Sequence, residues 1–230
     1  MADVPEALRA LPVAAVLFDL DGTLADTAPD LVAALNRVRG DRGLPALPYA
    51  TLRPHASHGA RGLLGAGFGI APGDAGFSGL RDAFLAHYEA ALCVGTALFA
   101  DVADLLAEIE ARGLAWGIVT NKAARFTLPL LELLPPLARA GTVVCGDTTP
   151  HAKPHPEPLL HAARALGIAP ERCLYVGDAE RDVTAGAAAG MCTIVAGYGY
   201  IGAHETPGQW PAAAVIGTPV ALLDWLPGSA

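Results

Sequence analysis

Two acidic residues, Asp19 and Asp21, follow a short apolar run and precede a glycine. The run at 13–17 predicts a buried strand, and side chains two positions apart in an extended segment point the same way. Carboxylates held that close repel, so the pair needs a cation, a shared proton or separate chemical roles. Gly22 permits a sharp turn, and the Thr23 hydroxyl could cap a following helix. The stretch predicts a catalytic loop; the alternative is a surface turn with two solvated aspartates.

A second candidate site emerges from the basic residues. Lysine occurs only at positions 122 and 153, although the chain has 15 basic residues. A lysine kept where arginine is otherwise preferred indicates a place that needs a compact ammonium group. Lys122 adjoins Asn121 and Thr120 at the end of a predicted strand, which makes this tripeptide a candidate site. The alternative is that the two lysines fall there by chance.

The elements that must position these residues alternate along the chain. Apolar runs predict strands at 115–119, 142–145, 173–176, 192–195 and 213–216, and helical patterns predict helices between them and around 222–225. Short apolar strands that alternate with amphipathic helices indicate an α/β fold with a doubly wound parallel sheet. Ligands bind outside the carboxyl ends of such strands. Those ends carry the two candidate sites together with Asp147 and Asp178.

The first crossover is too long for a simple unit. The first predicted strand ends near residue 18 and the next begins near 115, whereas a βαβ unit takes about 30 residues or a little more. A structureless loop of that length is implausible, so we predict an inserted helical domain at 26–93 and a core at 1–25 and 94–230. Helices are predicted over 30–39 and 79–93, and the glycine cluster at 65–69 is predicted to be a loop between helices.

Composition narrows the class of protein. The formal net charge is -8 without a basic block, which argues against nucleic-acid binding. No apolar run reaches the roughly 18 residues of a membrane helix, and the N-terminal Asp3 and Glu6 do not fit a signal peptide. The four cysteines form no C-x-x-C pair. They indicate buried free thiols in a cytoplasmic protein, with a zinc site as the alternative.

The chain resembles the haloacid dehalogenase-superfamily phosphatases, with all of the family's motifs in order over nearly its full length. The first motif corresponds to 19–23, the second to 120–122, the third to Lys153 with Pro154, and the fourth to 177–182. The position of the insertion is similar to that of the helical cap of phosphoglycolate phosphatase-like enzymes. Stretches at 116–122, 153–158 and 198–201 look closest to the branch that acts on N-acetylmuramic acid 6-phosphate. Ala123 and His155 depart from the residues that relatives often have there, Pro and Asp.

The resemblance implies a Rossmann-like core and a chemistry for each motif. Asp19 is the expected nucleophile, which forms an aspartyl-phosphate, and Asp21 is the expected general acid and base. Mg²⁺ is the implied cofactor, held by the Asp19 carboxylate, the Asp21 backbone carbonyl and the Asp178 carboxylate. Thr120 and Lys153 would stabilise the phosphoryl group. The expected supporting residues are Gly22, Thr23, Gly177 and Asp182, of which Asp182 would orient the metal shell or a lysine.

The remaining assignments concern the substrate. Asn121 is expected either to place the phosphoryl group or to shape its loop, and Lys122 to face the leaving group or solvent. Arg61 in the cap could pair with a substrate carboxylate, the alternative being a solvated helix charge. We expect a small phosphorylated metabolite, N-acetylmuramic acid 6-phosphate or 2-phosphoglycolate, and a monomer or homodimer. Another sugar-phosphate phosphatase, a phosphomutase, a dehalogenase or a non-catalytic binding protein on the same frame are the competing hypotheses.

Overall fold

The computed structural model describes residues 13–228; residues 1–12, with Asp3 and Glu6, and residues 229–230 lie outside the described part. The strands are β1 Ala15–Phe18, β2 Ala25–Asp26, β3 Ala97–Leu98, β4 Ala115–Val119, β5 Val143–Val144, β6 Cys173–Gly177, β7 Cys192–Ala196 and β8 Ala214–Ile216. The α-helices are α1 Ala28–Gly40, α2 Tyr49–Leu52, α3 Gly59–Phe68, α4 Phe77–Ala90, α5 Val102–Ala111, α6 Ala124–Leu133, α7 Glu157–Leu166 and α8 Glu180–Ala188.

The core is a parallel sheet with strand order β5-β4-β1-β6-β7-β8. Strand β1 lies at its centre, where Ala15 pairs with Ala115 on one side and with Cys173 on the other. All four residues of β1 are buried, as expected for a parallel strand that is covered on both faces. The order places the first strand between two strands reached by separate crossovers, which confirms the predicted doubly wound sheet.

Alternate side chains of the central strands supply two different cores. Val16 and Phe18 of β1 belong to an apolar cluster with α5, α6 and the C-terminal segment. Ala15 and Leu17 point the other way, into a cluster with α7 and α8. This period of two places alternate residues of β1 on opposite faces of the sheet.

A third apolar cluster joins the helices α1 to α4, with Leu35, Leu63 and Phe84 among its buried members. This helical layer lies within the segment predicted as an insertion. A two-stranded antiparallel sheet, β2 with β3, pairs the chain entering the layer with the chain leaving it. The buried carboxylate of Asp30 accepts hydrogen bonds from the backbone of Val94, Gly95 and Thr96. Both connections are therefore tied together at the base of the helices.

One sequence prediction about local structure is wrong. The glycine cluster at 65–69 is not a loop, because residues up to Phe68 form the end of α3 and Gly69 ends it with a φ of 67°. A side chain at Gly67 would press on Leu35, so glycine allows α3 to approach α1. The helix predicted around 222–225 is present as a 3-10 helix, Pro219–Trp225. In the described part of the chain, no helix combines the length and apolar character needed to cross a membrane.

Candidate active site

Asp19 lies directly after β1, and its backbone N–H still bonds to Val176 O of the neighbouring strand at 2.9 Å. Its carboxylate is buried, with Oδ1 receiving hydrogen bonds from Leu20 N at 2.7 Å and an ion pair from Lys153 Nζ at 3.0 Å. The Arg181 guanidinium is 3.9 Å from Oδ2. Burial raises the pKa of Asp19, against the opposing pull of Lys153. The residue is thus a fixed carboxylate with one oxygen engaged and the other facing a cation at longer range.

Lys153 is held at the centre of the buried groups. Its side chain is fully buried, and Nζ is 2.8 Å from Asp182 Oδ1, 2.7 Å from Tyr175 Oη and 2.7 Å from Val119 O. Burial acts to raise the pKa of Asp182, but Lys153 and Arg181 outweigh it and hold that pKa below its ordinary value. An ammonium with this many partners is a compact point charge, the role for which lysine is suited and arginine is not.

Asp178 follows β6 and faces Asp19. Its Oδ1 accepts from Ser57 Oγ at 3.2 Å, and its Oδ2 accepts from Tyr200 N at 2.9 Å. Burial, and next the charges of Asp182 and Asp19, raise the pKa of Asp178 from 3.8 to about 7. Carboxylate oxygens of Asp19, Asp178 and Asp182 lie within 4.8 Å of one another. Three buried carboxylates at that spacing fit a hard divalent cation.

Two glycines make room for this cluster. A Cβ on Gly22, where φ is 84°, would overlap the Asp178 carboxylate and come within 2.9 Å of the Tyr200 ring. A Cβ on Gly177 would overlap the Asp182 side chain. Close approach therefore requires glycine at both predicted supporting positions, and at Gly22 the positive φ requires it as well.

The prediction that Thr23 caps a helix is wrong. Helix α1 begins at Ala28, and the residue before it is Thr27. The Thr23 hydroxyl is buried and has no hydrogen-bond partner among residues 13–228. Its carbonyl instead accepts from Tyr198 Oη at 3.0 Å, so Thr23 packs inside the turn.

The Asp21 carboxylate is bound through one oxygen. Its Oδ1 accepts from Thr27 Oγ1 at 2.5 Å and from Lys122 Nζ at 2.8 Å. Lys122 lies against the Tyr88 ring of α4, 4.7 Å from its centroid. Burial acts to lower the pKa of Lys122, but Asp21 and Tyr88 outweigh it and raise that pKa. Lys122 therefore contacts the acid itself, a partner that its sequence position did not indicate.

Thr120 and Asn121 share the loop after β4 but have different surroundings. Thr120 is buried, lines the cavity above Asp19, and accepts from Lys122 N through Oγ1 at 3.1 Å. The Asn121 amide is engaged at both ends by the backbone of Lys153, with Nδ2 2.8 Å from Lys153 O and Oδ1 3.0 Å from Lys153 N. Asn121 thus joins the second and third motifs and shapes the loop that carries Lys153.

A cavity of about 830 Å³ separates the sheet edge from the helices above it. Arg61, the predicted specificity residue, lines it from α3 with an exposed side chain. Within the described chain, Arg61 has no ion pair or hydrogen bond. Apolar walls are provided by Leu31, Phe84 and Phe126. The cavity therefore combines a carboxylate floor with cationic and apolar walls.

Arg181 connects the two sides of the cavity and was not singled out from the sequence. Its Nη2 donates to Ser57 O at 2.8 Å and to Ser57 Oγ at 3.0 Å, while the same atom is 3.9 Å from Asp19 Oδ2. The sequence assigned a supporting role to the neighbouring Asp182, but it gave no reason to distinguish Arg181 from a solvated charge at the start of a helix. The contact of Arg181 with Ser57 joins residues 124 positions apart and is visible only in the structure.

Taken together, a parallel sheet with these carboxylates and Lys153 at its edge, beneath a helical layer, has the architecture of the haloacid dehalogenase superfamily. The chain belongs to the haloacid dehalogenase-like hydrolases, whose family model matches residues 16–196.

Its relatives are named phosphatases. The chain is 41% identical over 208 residues to the N-acetylmuramic acid 6-phosphate phosphatase of Pseudomonas putida, covering 90% of this chain and 93% of the relative. It is 42% identical over 215 residues to a phosphoglycolate phosphatase of Xanthomonas campestris, covering 94% and 96%. A crystal structure described as a predicted phosphoglycolate phosphatase from Haemophilus somnus superposes with a TM-score of 0.82 at 25% identity, covering 93% and 97%. The chain is a phosphoric monoester hydrolase.

Proposed function

We propose that the protein hydrolyses a small carboxylate-bearing phosphate monoester through an aspartyl-phosphate formed on Asp19, with Mg²⁺ as cofactor. One observation carries the proposal. Asp19 Oδ1 is engaged by Leu20 N and Lys153, while Oδ2 has only the more distant Arg181. A carboxylate restrained through one oxygen presents the other to an incoming phosphorus atom in a defined direction.

The first step transfers the phosphoryl group. Asp19 Oδ2 forms a bond to phosphorus while the bond from phosphorus to the ester oxygen breaks. The leaving oxygen takes a proton from Asp21, whose Oδ2 is not used by Thr27 or Lys122. In the second step Asp21 removes a proton from water as the water oxygen attacks phosphorus, releasing phosphate and restoring Asp19.

Thr120 and Lys153 stabilise the charge on the transferred group. Thr120 Oγ1 accepts from Lys122 N, so its own proton is available to donate to a phosphoryl oxygen. Lys153 remains between Asp19 and Asp182 and offsets the negative charge that gathers there. Asn121 keeps that lysine in place through its backbone.

The residues that would hold Mg²⁺ are Asp19, Asp178 and the backbone carbonyl of Asp21. Asp182 lies in the same cluster, but Lys153, Tyr175 and Ala179 N already occupy its oxygens. We therefore assign Asp182 to orienting Lys153. When bound, Mg²⁺ neutralises phosphoryl charge and aligns it with the nucleophile. The raised pKa of Asp178 supports the assignment, because burial and two neighbouring carboxylates disfavour its ionised form, and a bound cation would offset that cost.

In this proposal, the helices at 26–93 form a cap that contacts the leaving group and determines substrate specificity. The cavity of about 830 Å³ lies within the range of roughly 300–1,000 Å³ that is usual for ligand pockets. That volume favours N-acetylmuramic acid 6-phosphate, whose acetyl and lactyl groups would meet the apolar walls. 2-Phosphoglycolate is the second candidate, supported by the relatives that carry that name. Both possess a carboxylate that Arg61 could bind.

Phosphate release tests the chemistry. Asp19→Asn and addition of EDTA are each expected to abolish it, and activity that persists undiminished in either case would contradict the proposal. Release of free phosphate, rather than an isomerised phosphate ester, separates a hydrolase from a phosphomutase.

The role of Arg61 is tested with a matched pair of substrates. N-acetylglucosamine 6-phosphate is the same amino sugar without the lactyl carboxylate. Arg61→Ala should raise KM for N-acetylmuramic acid 6-phosphate and leave KM for N-acetylglucosamine 6-phosphate unchanged. Arg37→Ala, at an exposed position in α1 away from the cavity lining, serves as the control. An equal loss on both substrates would exclude carboxylate recognition by Arg61.

A further inference from the structure

A second set of metal-ligand side chains lies on the surface of the loop that carries Lys153. His151 and His155 stack their rings with centroids 4.4 Å apart and an interplanar angle of 26°. Glu157 Oε2 is 2.8 Å from His151 Nδ1 and 3.9 Å from His155 Nδ1. One ligand atom of each residue lies within 4.8 Å of the others. The proposed mechanism uses none of these three side chains.

We propose that His151, His155 and Glu157 form a binding site for a transition-metal ion of the zinc class, separate from the carboxylate cluster of the active site. The ligand chemistry separates the two sites. Two imidazoles and one carboxylate prefer Zn²⁺, Ni²⁺ or Cu²⁺, whereas an all-oxygen set prefers Mg²⁺. Two histidines and a carboxylate also leave an open position for water, as zinc sites with three protein ligands do.

The local backbone favours such a site. Pro154 and Pro156 restrict the chain on either side of His155, and His155 N bonds to Ala152 O at 3.0 Å. The Thr149 hydroxyl donates to His151 O at 2.8 Å. Glu157 is the first residue of α7, and its N–H donates to His155 Nδ1 at 3.2 Å. The ligands therefore come from a short restrained segment rather than from a flexible one.

Coordination of one ion requires the two rings to rotate out of their stack, because imidazole lone pairs lie in the ring plane. Ligands of a tetrahedral zinc at about 2.0–2.2 Å from the metal lie roughly 3.4 Å apart. The histidine side chains are 61% and 50% exposed and the Glu157 side chain is 32% exposed, so rotation of the rings meets no packed core. Exposure also gives an ion direct access from solvent.

Zinc titration against a chromophoric chelator tests the site, with the full chain in saturating Mg²⁺ to keep the carboxylate cluster loaded. We expect one zinc equivalent in the wild type and none in the double variant H151A/H155A. Glu157→Gln should weaken binding about tenfold or more, since even outer-shell partners of a metal contribute roughly 10–100-fold. Zinc should also raise the thermal midpoint of the wild type but not of the double variant.

The control is His87→Ala, which removes another histidine–carboxylate pair, His87 Nε2 with Asp41 Oδ2 at 2.6 Å, that has no second imidazole. It should retain the zinc equivalent. Absence of zinc binding in the wild type, or binding that survives in H151A/H155A, would overturn the proposal. Mg²⁺-dependent phosphate release without zinc should be unchanged in the double variant, so the test does not depend on the proposed catalytic function.

Discussion

Asp178 provides the sharpest prediction. Its carboxylate, a proposed metal ligand, is expected to destabilise the folded protein when no metal is bound. Its pKa is raised from 3.8 to about 7 in the folded chain. The folded state therefore disfavours the ionised form. The penalty is absent below the unfolded-state pKa, grows as the pH rises toward the folded-state pKa, and is complete above it. The rise of the pKa from 3.8 to about 7 corresponds to a loss of about 4 kcal/mol in the free energy of unfolding, at roughly 1.36 kcal/mol per pH unit.

Asp178→Asn should remove this penalty while preserving the hydrogen bonds. The asparagine Oδ1 can accept from Tyr200 N, and its amide can donate to Ser57 Oγ, since a hydroxyl also accepts. In EDTA, the variant should be more stable than the wild type by a few kcal/mol at pH 8. The advantage should shrink by about 2–3 kcal/mol at pH 5, where the wild-type carboxylate is protonated in the folded state.

Urea unfolding at the two pH values measures the difference. Mg²⁺ should stabilise the wild type, by about 2.7 kcal/mol at a hundred times the dissociation constant, but not the variant, which should also lose phosphatase activity. Asp104→Asn, at an exposed position in α5, should change neither profile. A difference between Asp178→Asn and wild type that is independent of pH, or a variant that is less stable at pH 8 in EDTA, would refute the reasoning.

Three further predictions concern neighbouring residues. Lys153→Met removes the cation shared by two buried carboxylates, so unfolding should cost about 3–5 kcal/mol less in urea; a smaller loss than 1 kcal/mol would contradict it. Ser57→Ala removes the hydroxyl of the helical layer that is bonded to Asp178, and it should lower kcat/KM about tenfold in steady-state assays. The thermal midpoint should stay unchanged, whereas a purely structural role of Ser57 would lower it. Gly22→Ala should abolish activity and destabilise the fold by calorimetry, whereas Gly190→Ala, also at positive φ but with open space at Cβ, should cost only about 1–3 kcal/mol of backbone strain and retain activity.

Most of the sheet was predictable from the sequence because its signals are local. Strand β4 was predicted with its observed bounds, Ala115–Val119, since an apolar run between a helix and a polar loop has few other interpretations. Parallel strands then bring their carboxyl ends to one edge, so Asp19, Thr120 and Asp178 could be grouped without coordinates. Lys153 lies in a loop, and only the family resemblance grouped it with them.

Other features depend on contacts between distant residues. Strands β2 and β3 have two residues each, too few for any periodicity, and exist because the chain enters and leaves the helical layer side by side. The glycine cluster at 65–69 suggested a loop by composition, but the segment up to Phe68 is helical, and Gly67 is where this helix packs closely against Leu35. The Lys122–Asp21 ion pair joins residues 101 positions apart, and no sequence pattern around either residue predicts it.

Side-chain contacts join the helical layer to the residues at the sheet edge. Arg181 Nη2 bonds to Ser57 of the helical layer and lies 3.9 Å from Oδ2 of Asp19, the proposed nucleophile, while Ser57 Oγ bonds to Asp178. On the other side of the cavity, Tyr88 of the same layer covers the lysine paired with Asp21. Displacement of the helices would break the first set of bonds and expose the second ion pair to water, weakening both. Asp19 and Asp21, the nucleophile and the acid of the proposed mechanism, have their described contacts only when the helical layer lies over the sheet edge. We therefore expect substrate enclosure to be a condition for reaction.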